Sequence, residues 1–299
     1  MEYIKAKTIV TNKKNGSQWF GADYNMNIYK GCSHGCIYCD SRSSCYGIEN
    51  FDIVKPKENA LEIIRNDLRR KVKKGVIGMG AMSDPYNPLE KELLLTRHAL
   101  ELIYAYDFGV TVATKSTLLE RDIDMLNLIK EQAPVLCKIT ITASDDNLSK
   151  KIEPNVSVSS ERFELIRKLS ENDIFSGILL MPVLPFIEDN EENIISIVNK
   201  AHEVGARFIY PAFGMTLRQN QREYYFKKLN ELFPNENLCD KYIKRFGSYY
   251  ICQSPDLKKL WSVFTEKCKE YGILYNMKEI INGYKKRYKM SQLTLFDME

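Results

Sequence analysis

The sequence has no apolar run long enough to cross a bilayer as a helix, which takes about 20 predominantly apolar residues. Residues 1–7, MEYIKAK, lack the apolar core of a signal peptide. These two absences predict a cytoplasmic protein with no membrane partner. There is no low-complexity linker and no internal repeat beyond an alternation of strand and helix. Cysteine is too sparse for a disulfide scaffold: eight in 299 residues, where disulfide-held domains are short and cysteine-dense. Nor is one sign of charge in marked excess. The formal net charge is +4, so the placement of basic groups says more about partners than their sum.

What is present fits one large α/β domain. Apolar residues make up 44% and charged residues 27%, enough to bury a substantial core. Short apolar runs rich in Val, Ile and Thr read as strands at 25–30, 76–82, 110–114, 136–143, 177–182 and 207–212. Helical patterns separate them at 58–74, 93–106, 122–131, 160–171 and 191–203, the last with Ile194, Ile197, Val198 and Ala201 on one face. Strand-helix alternation implies right-handed crossovers and a parallel sheet. Six units are too few to close an eight-fold barrel. The expected fold is therefore α/β, a partial (βα)6 TIM-like barrel with a C-terminal helical extension. The barrel would occupy 1–215. An aromatic and basic extension at 216–289 would pack on it through helices at 221–233, 237–246, 256–271 and 277–288. A tail peptide would follow at 290–299.

Three cysteines stand together in C-S-H-G-C-I-Y-C: Cys32, Cys36 and Cys39, a C-x3-C-x2-C spacing. Three thiolates on one tight loop suit three corners of a [4Fe–4S] cube, which proteins normally hold with four cysteines. The missing fourth leaves one iron open to a substrate or cofactor. A structural zinc site is the other reading, with His34 or Cys45 as fourth ligand, but such sites usually pair two C-x2-C units and no second unit exists here. The loop directly follows the first strand. It therefore belongs on the carboxyl rim of the sheet, where ligands bind in such folds. Cys137, Cys239 and Cys268 read as small buried hydrophobes, and Cys252 is a candidate catalytic thiol.

Other polar residues fall on the same rim. Ser83 and Asp84 close the second strand, ahead of a Pro-Tyr-Asn-Pro turn. Lys115 ends the third. Thr140, Thr142 and Ser144 alternate along the fourth, where hydroxyls on one face suit a ribose or ordinary β-branched packing. In the extension, Arg218, Arg222 and Tyr224 interleave cations with aromatics. That mixture fits phosphates and stacked bases, or else a helix with solvated arginines.

The cysteine spacing, with the aromatic Tyr38 before the third cysteine, resembles the radical S-adenosylmethionine (SAM) superfamily. The runs G-C-S-H-G-C-I-Y-C, M-S-D-P-Y-N-P-L-E, T-K-S-x-L-L-x-R-D and I-E-P-N-V-S look like its spore photoproduct lyase-like branch, over most of residues 20–215. The resemblance implies that SAM chelates the open iron and that one electron splits its sulfonium to a 5′-deoxyadenosyl radical. It also implies that Ser83 and Asp84 receive the SAM ammonium, that Lys115 pairs with the SAM carboxylate or a substrate phosphate, that Glu153 bonds Arg162, and that Tyr38 takes part in catalysis. Two positions depart from that branch. Asp40 stands where those lyases carry a second tyrosine, and Ala81–Met82 where they carry a hydrogen-donating cysteine.

The expected activity is hydrogen abstraction from nucleic acid in a DNA-repair-like lyase, with a flavodoxin or ferredoxin as electron donor. Modification of RNA or of a peptide is the alternative. A non-catalytic metal-stapled module is a third reading. The tail S-Q-L-T-L-F-D resembles the peptide by which bacterial repair proteins dock on the sliding clamp, with Gln292, Leu293, Leu295 and Phe296 as its anchors.

Overall fold

The computed structural model describes residues 2–13 and 19–288. In chain order the elements are β1 (Val10–Asn12), β2 (Tyr24–Met26), β3 (Tyr29–Lys30), β4 (Lys55–Pro56), α1 (Ala60–Arg69), β5 (Val76–Met79), α2 (Glu90–Leu93), α3 (Leu95–Ala105), β6 (Gly109–Thr114), α4 (Ile123–Gln132), β7 (Val135–Thr140), α5 (Asp146–Ile152), α6 (Ser159–Glu171), β8 (Ser176–Val183), α7 (Glu191–Glu203), β9 (Phe208–Thr216), α8 (Gln221–Leu232), α9 (Leu238–Phe246), β10 (Ile251–Gln253), α10 (Leu257–Glu270) and α11 (Met277–Lys285). The main sheet runs β1-β2-β5-β6-β7-β8-β9-β10. Its neighbours from β2 to β9 pair in parallel, while β1 and β10 add antiparallel edges. This is the six-unit open barrel that the strand-helix alternation implies.

A strand covered on both faces reads as continuous apolar sequence, and β7 is buried at every position. Its alternate side chains still go separate ways. Cys137 and Ile139 join Val110, Val112, Ile178 and Ile209 in the core beneath the helices, where α7 contributes Ile194, Ile197, Val198 and Ala201. Leu136 faces the interior with Leu179 and Phe208, over a floor made by Phe20, Ala22, Ile280 and Tyr284. Lys138 shares that inward parity.

Three features differ from the sequence reading. The first strand leaves the sheet after Met26, and Tyr29–Lys30 pair instead with Lys55–Pro56. A short helix, α5, is inserted after β7, with Asp145 accepting from Leu148 N at 2.7 Å as its cap. The C-terminal region is not wholly helical, because β10 closes the sheet against β9. Each helix of that region buries a stripe of period four. Leu238, Tyr242 and Phe246 of α9 pack with Tyr225 and Leu229 of α8 on the cysteine loop. Leu260, Phe264 and Cys268 of α10 join the main core. Among the described residues no helix is long and apolar enough to cross a membrane. Gln292, Leu293, Leu295 and Phe296 lie outside the described residues.

Candidate functional site

The parallel register brings the carboxyl ends of β2, β5, β6 and β7 to one rim, and the cysteine loop lies across it. Backbone bonds pin the loop on both flanks: Cys32 N donates to Phe51 O at 2.8 Å and Ile37 N to Ile152 O at 3.0 Å. The turn after β5 comes close enough only because residue 80 is glycine. Its φ is +87°, and a Cβ there would meet Ala113 O at 2.0 Å. The result is a cavity of about 170 Å³ lined by Cys32, Cys36 and Cys39 on one side and by Ser83, Lys115 and Thr140 on others. The Ser83 hydroxyl is buried without a hydrogen-bond partner among the described residues.

Asp84 lines the same cavity and also braces the rim. Its carboxylate accepts from Thr114 Oγ1 at 2.7 Å, Lys115 N at 2.9 Å and Tyr86 N at 2.9 Å, and His34 Nδ1 lies 3.5 Å away. It ties the end of β5 to the end of β6 and so sets where Lys115 begins. Lys115 lines the cavity, with its ammonium 5.7 Å from the Tyr38 ring centroid. Burial works against that charge, but Cys36 and Glu153 together hold its pKa above the ordinary lysine value. Burial likewise raises the Cys36 thiol, and Lys115 opposes the rise.

Beneath the loop, Glu153 meets Arg162 at 2.6 Å and accepts a hydrogen bond from the Tyr38 hydroxyl. Arg162, wholly buried, also donates to Thr140 O at 2.8 Å and Ser157 O at 2.7 Å. Burial alone would raise the Glu153 carboxyl; Arg162 and Lys115 hold it below its usual range. This group fixes the loop from below, the structural role expected of the pair. Tyr38 is held in it by its hydroxyl, while its ring faces the larger mouth cavity.

That mouth cavity, about 800 Å³, shares Cys39 and Lys115 with the cysteine cavity and widens between Tyr38, Phe213, Tyr250, Gln253 and Trp261. Sequence reading missed four of these five. Of the fourth-strand hydroxyls only Thr140 lines the cysteine cavity. Thr142 and Ser144 lie past the end of β7, where their backbones pair with Asn193, the oxygen of Thr142 at 2.8 Å and the nitrogen of Ser144 at 2.7 Å.

Cys252 is corrected. It lies at the centre of β10, so Ile251 and Gln253 face the mouth while Cys252 turns to the opposite side, buried with Tyr225 and Tyr242. Among the described residues neither cavity presents a thiol beyond the three of the loop. The expected nucleic-acid residues Arg218, Arg222 and Tyr224 line neither cavity and make contacts within the chain. Arg218 pairs with Asp40 at 3.2 Å and donates to the Tyr250 hydroxyl at 2.6 Å. Arg222 donates to Gly247 O at 2.9 Å and Tyr249 O at 2.6 Å, at the end of α9. The Tyr224 ring lies 3.8 Å from the guanidinium of Arg42, which is itself paired with Asp52. Gln221, in the same segment, donates to Tyr38 O at 2.9 Å and Thr216 O at 2.8 Å. These bonds bolt the extension to the cysteine loop.

Among the described residues no group of three or more His, Cys, Asp or Glu side chains converges as a single-ion site. The three sulfurs line a cavity instead, with unspent polar groups around it. That donor set fits a cube with one open corner. The sequence pattern of the Radical SAM superfamily matches residues 26–199. The chain belongs to the radical SAM superfamily. Members of this superfamily use a [4Fe–4S] cluster and SAM.

An uncharacterized protein of Methanocaldococcus jannaschii is 35% identical over 192 residues, 63% of this chain and 69% of its own length. An uncharacterized protein of Mycobacterium tuberculosis is 27% identical over 218 residues, 71% of this chain and 64% of its own. The chain thus spans just under two thirds of the mycobacterial protein it matches. Among solved structures, a spore photoproduct lyase complexed with dinucleoside spore photoproduct superposes with a TM-score of 0.60 at 16% identity, covering 88% of this chain and 76% of that one. A lyase variant with bound AdoMet and the same ligand gives 0.61 at 15%, over 88% and 76%. A radical SAM methyltransferase from Kitasatospora setae, solved with tryptophan substrate and a SAM analog, gives 0.55 at 12%, over 80% and 51%. At these identities the likeness is one of fold.

Proposed function

We propose that Cys32, Cys36 and Cys39 hold the cluster, that Ser83, Lys115 and Thr140 receive SAM beside it, and that a substrate in the mouth cavity gives up a hydrogen atom. When bound, the cluster supplies the electron that cleaves SAM to a 5′-deoxyadenosyl radical. The observation that carries the reading is the continuity of the two cavities through Cys39 and Lys115. Lys115 offers a cation to a carboxylate where water is scarce, and such a charge acts strongly at low dielectric. The unpartnered Ser83 hydroxyl offers an acceptor to an ammonium. Asp84 serves as a positioning residue, because its oxygens are already engaged.

The substrate class we favour is nucleic acid, in a lyase of the spore photoproduct lyase-like group. The mouth supports this through flat rings, Tyr250 and Trp261, on which a base stacks, and through the Gln253 amide for a base edge. A second cleft of about 770 Å³ continues from it past Ile251, Gln253 and Leu257 to the exposed Arg245 and Lys258. Neither cation has an ion pair among the described residues, so both are open to phosphates. These residues take the place of Arg218, Arg222 and Tyr224 in the nucleic-acid reading. The absence of a thiol at Ala81–Met82 and the burial of Cys252 mean that the returning hydrogen comes from a group other than a chain thiol in the described cavities. A peptide carrying an aromatic side chain is the second reading, favoured by the same apolar lining.

The test is anaerobic reconstitution followed by assay of 5′-deoxyadenosine with single-stranded DNA, damaged duplex, RNA and peptide pools. Stimulation by DNA, with deuterium carried from labelled DNA into 5′-deoxyadenosine, is the expected result. Cleavage of SAM indifferent to every nucleic acid tested sinks the substrate class. The tail at 290–299 adds a separate proposal of clamp docking, which predicts loss of clamp binding on Leu295→Ala and Phe296→Ala.

A further inference from the structure

The cysteine loop has two sides. The inner side carries the thiols. The outer side forms part of a separate cleft of about 900 Å³, lined by His34, Pro88, Lys91, Lys150, Asn155 and Val156 among others. His34 lines both this cleft and the cysteine cavity, so a single buried side chain separates them. The loop is held firmly there. Asn155 N donates to His34 O at 3.1 Å and Asn155 Nδ2 to Ser33 O at 3.0 Å. Gly35, at φ +73°, lies so close that an added Cβ would meet Asn155 Nδ2 at 3.0 Å and Pro154 at 3.1 Å. The run I-E-P-N-V-S is thus explained in two halves. Glu153 braces the inside, and Pro154, Asn155 and Val156 wall the outside.

The charges around this cleft are unequal in availability. Glu120 is paired with Lys168 at 2.6 Å, and Glu161 accepts from Val158 N at 3.1 Å. Arg121 is paired with Asp122 at 2.8 Å and Glu90 at 3.2 Å. Lys91 and Lys150 are exposed and have no partner among the described residues. Two unpaired cations, Lys91 and Lys150, thus outnumber the one carboxylate without a cationic partner, Glu161, around an apolar floor of Pro88, Leu118, Pro154 and Val156. The mouth cavity shares no lining residue with this cleft.

We propose that this cleft is where a small acidic one-electron carrier protein docks and reduces the cluster through the His34 side of the loop. This rests on the radical SAM reading. One electron passes from the carrier's reduced cofactor to the oxidised cluster; the carrier is oxidised by one electron, and no bond or proton changes hands. Electron tunnelling falls steeply with distance, and on this side one side chain, His34, lines both the cleft and the cysteine cavity. Cations around an apolar floor suit a transient partner that is steered by charge and held by little area.

The experiment compares the reconstituted enzyme with its Lys91→Glu/Lys150→Glu double variant, using reduced flavodoxin, reduced ferredoxin and dithionite as separate reductants. Lys91→Ala/Lys150→Ala is the milder pair, and Lys278→Glu on α11 is the control for altered surface charge. With a protein carrier, bleaching of the cluster's visible absorbance should slow about tenfold at low salt in the double reversal. The wild-type rate should fall as salt rises. Dithionite-driven bleaching, iron content and melting temperature should be unchanged. Affinity of the carrier for the cluster-free protein should weaken in step. A response with either carrier supports the proposal. Carrier-driven rates and affinities that ignore both double variants overturn it. Failure of the radical SAM reading shows itself separately, as wild-type protein that dithionite does not bleach.

Discussion

Two lysines point into the barrel, one at its rim and one above its floor, and they live by opposite physics. Lys115 ends β6 beside the cysteines, where Cys36 and Glu153 hold its pKa up against burial. Lys138 lies on β7 in a nearly closed space, 4.8 Å from the Phe20 ring centroid, with the Thr111 hydroxyl at 3.2 Å as its acceptor. Burial pushes its pKa down to about 7. Both withdraw an amine from water. At the rim anions offset the cost, and the charge is kept for use on a ligand. At the floor, among the described residues, only a hydroxyl and a π-face answer it, and the fold is weakened by the residue. Function and stability are thus separated by two strand positions along one barrel interior.

The largest effect comes from removing what makes the rim anionic. Cys36→Ala should leave iron and sulfide below two per protein and abolish 5′-deoxyadenosine formation, since a thiolate at each of three corners is needed to hold the cube. Full iron content or undiminished SAM cleavage in that variant would break the comparison at its base. Next is Lys115→Met, which keeps the length of the side chain and deletes the charge. SAM cleavage should fall about 100-fold, a loss comparable to that of one preorganised donor, with iron content retained. Lys115→Arg should recover part of the affinity for SAM, because the cation rather than the amine is what matters. Measuring the KM for SAM apart from kcat locates the loss in binding or in the chemical step.

Much of this frame was legible in the chain. Six strands and the helices between them follow from period-two and period-four apolar patterns, and the C-x3-C-x2-C spacing marks the loop. What stayed hidden has physical reasons. The inward facing of Lys138 had a signal, a lysine inside the otherwise apolar run V-L-C-K-I-T, but a strand buried on both faces does not say which side is the interior. Cys252 had none, because a three-residue edge strand is too short to show alternation. Arg218 and Arg222 read as free cations since their acceptors, Asp40 and the carbonyls of Gly247 and Tyr249, are distant in sequence or belong to the backbone. The bracing role of Asp84 was hidden for the same reason: Thr114 Oγ1 and Lys115 N arrive from the next strand.

At the floor, Lys138→Met should stabilise the protein. Each unit of pKa displacement corresponds to about 1.4 kcal/mol, so the fall from 10.5 to about 7 corresponds to a gain on the order of 5 kcal/mol at neutral pH and below. The sign follows from proton counting. Below about 7 the amine is charged in both states and the full cost of burying it falls on the fold. Between about 7 and its ordinary value of 10.5 the folded amine is neutral while the unfolded one still binds a proton, so wild-type stability climbs with pH. In Lys138→Met that climb should flatten, with SAM cleavage preserved. A variant less stable than wild type at pH 6 would show that the lysine is better solvated than its surroundings imply.

The smallest effect sharpens the contrast most. Thr111→Val removes the hydroxyl acceptor of Lys138 Nζ while keeping the shape of the side chain. Alone it should cost about 1 kcal/mol, the net worth of one buried hydrogen bond, and more where the amine is charged, because bonds to charged groups are worth roughly twice as much. Denaturation at pH 6 and at pH 9 should therefore give different losses, the larger at pH 6. In the Lys138→Met background the same substitution should cost nothing or stabilise, since two apolar groups then replace a polar pair. The coupling energy of that cycle isolates the bond from the packing change. Equal losses with and without the lysine would mean that the floor is held by its apolar packing alone, and that the amine is anchored elsewhere.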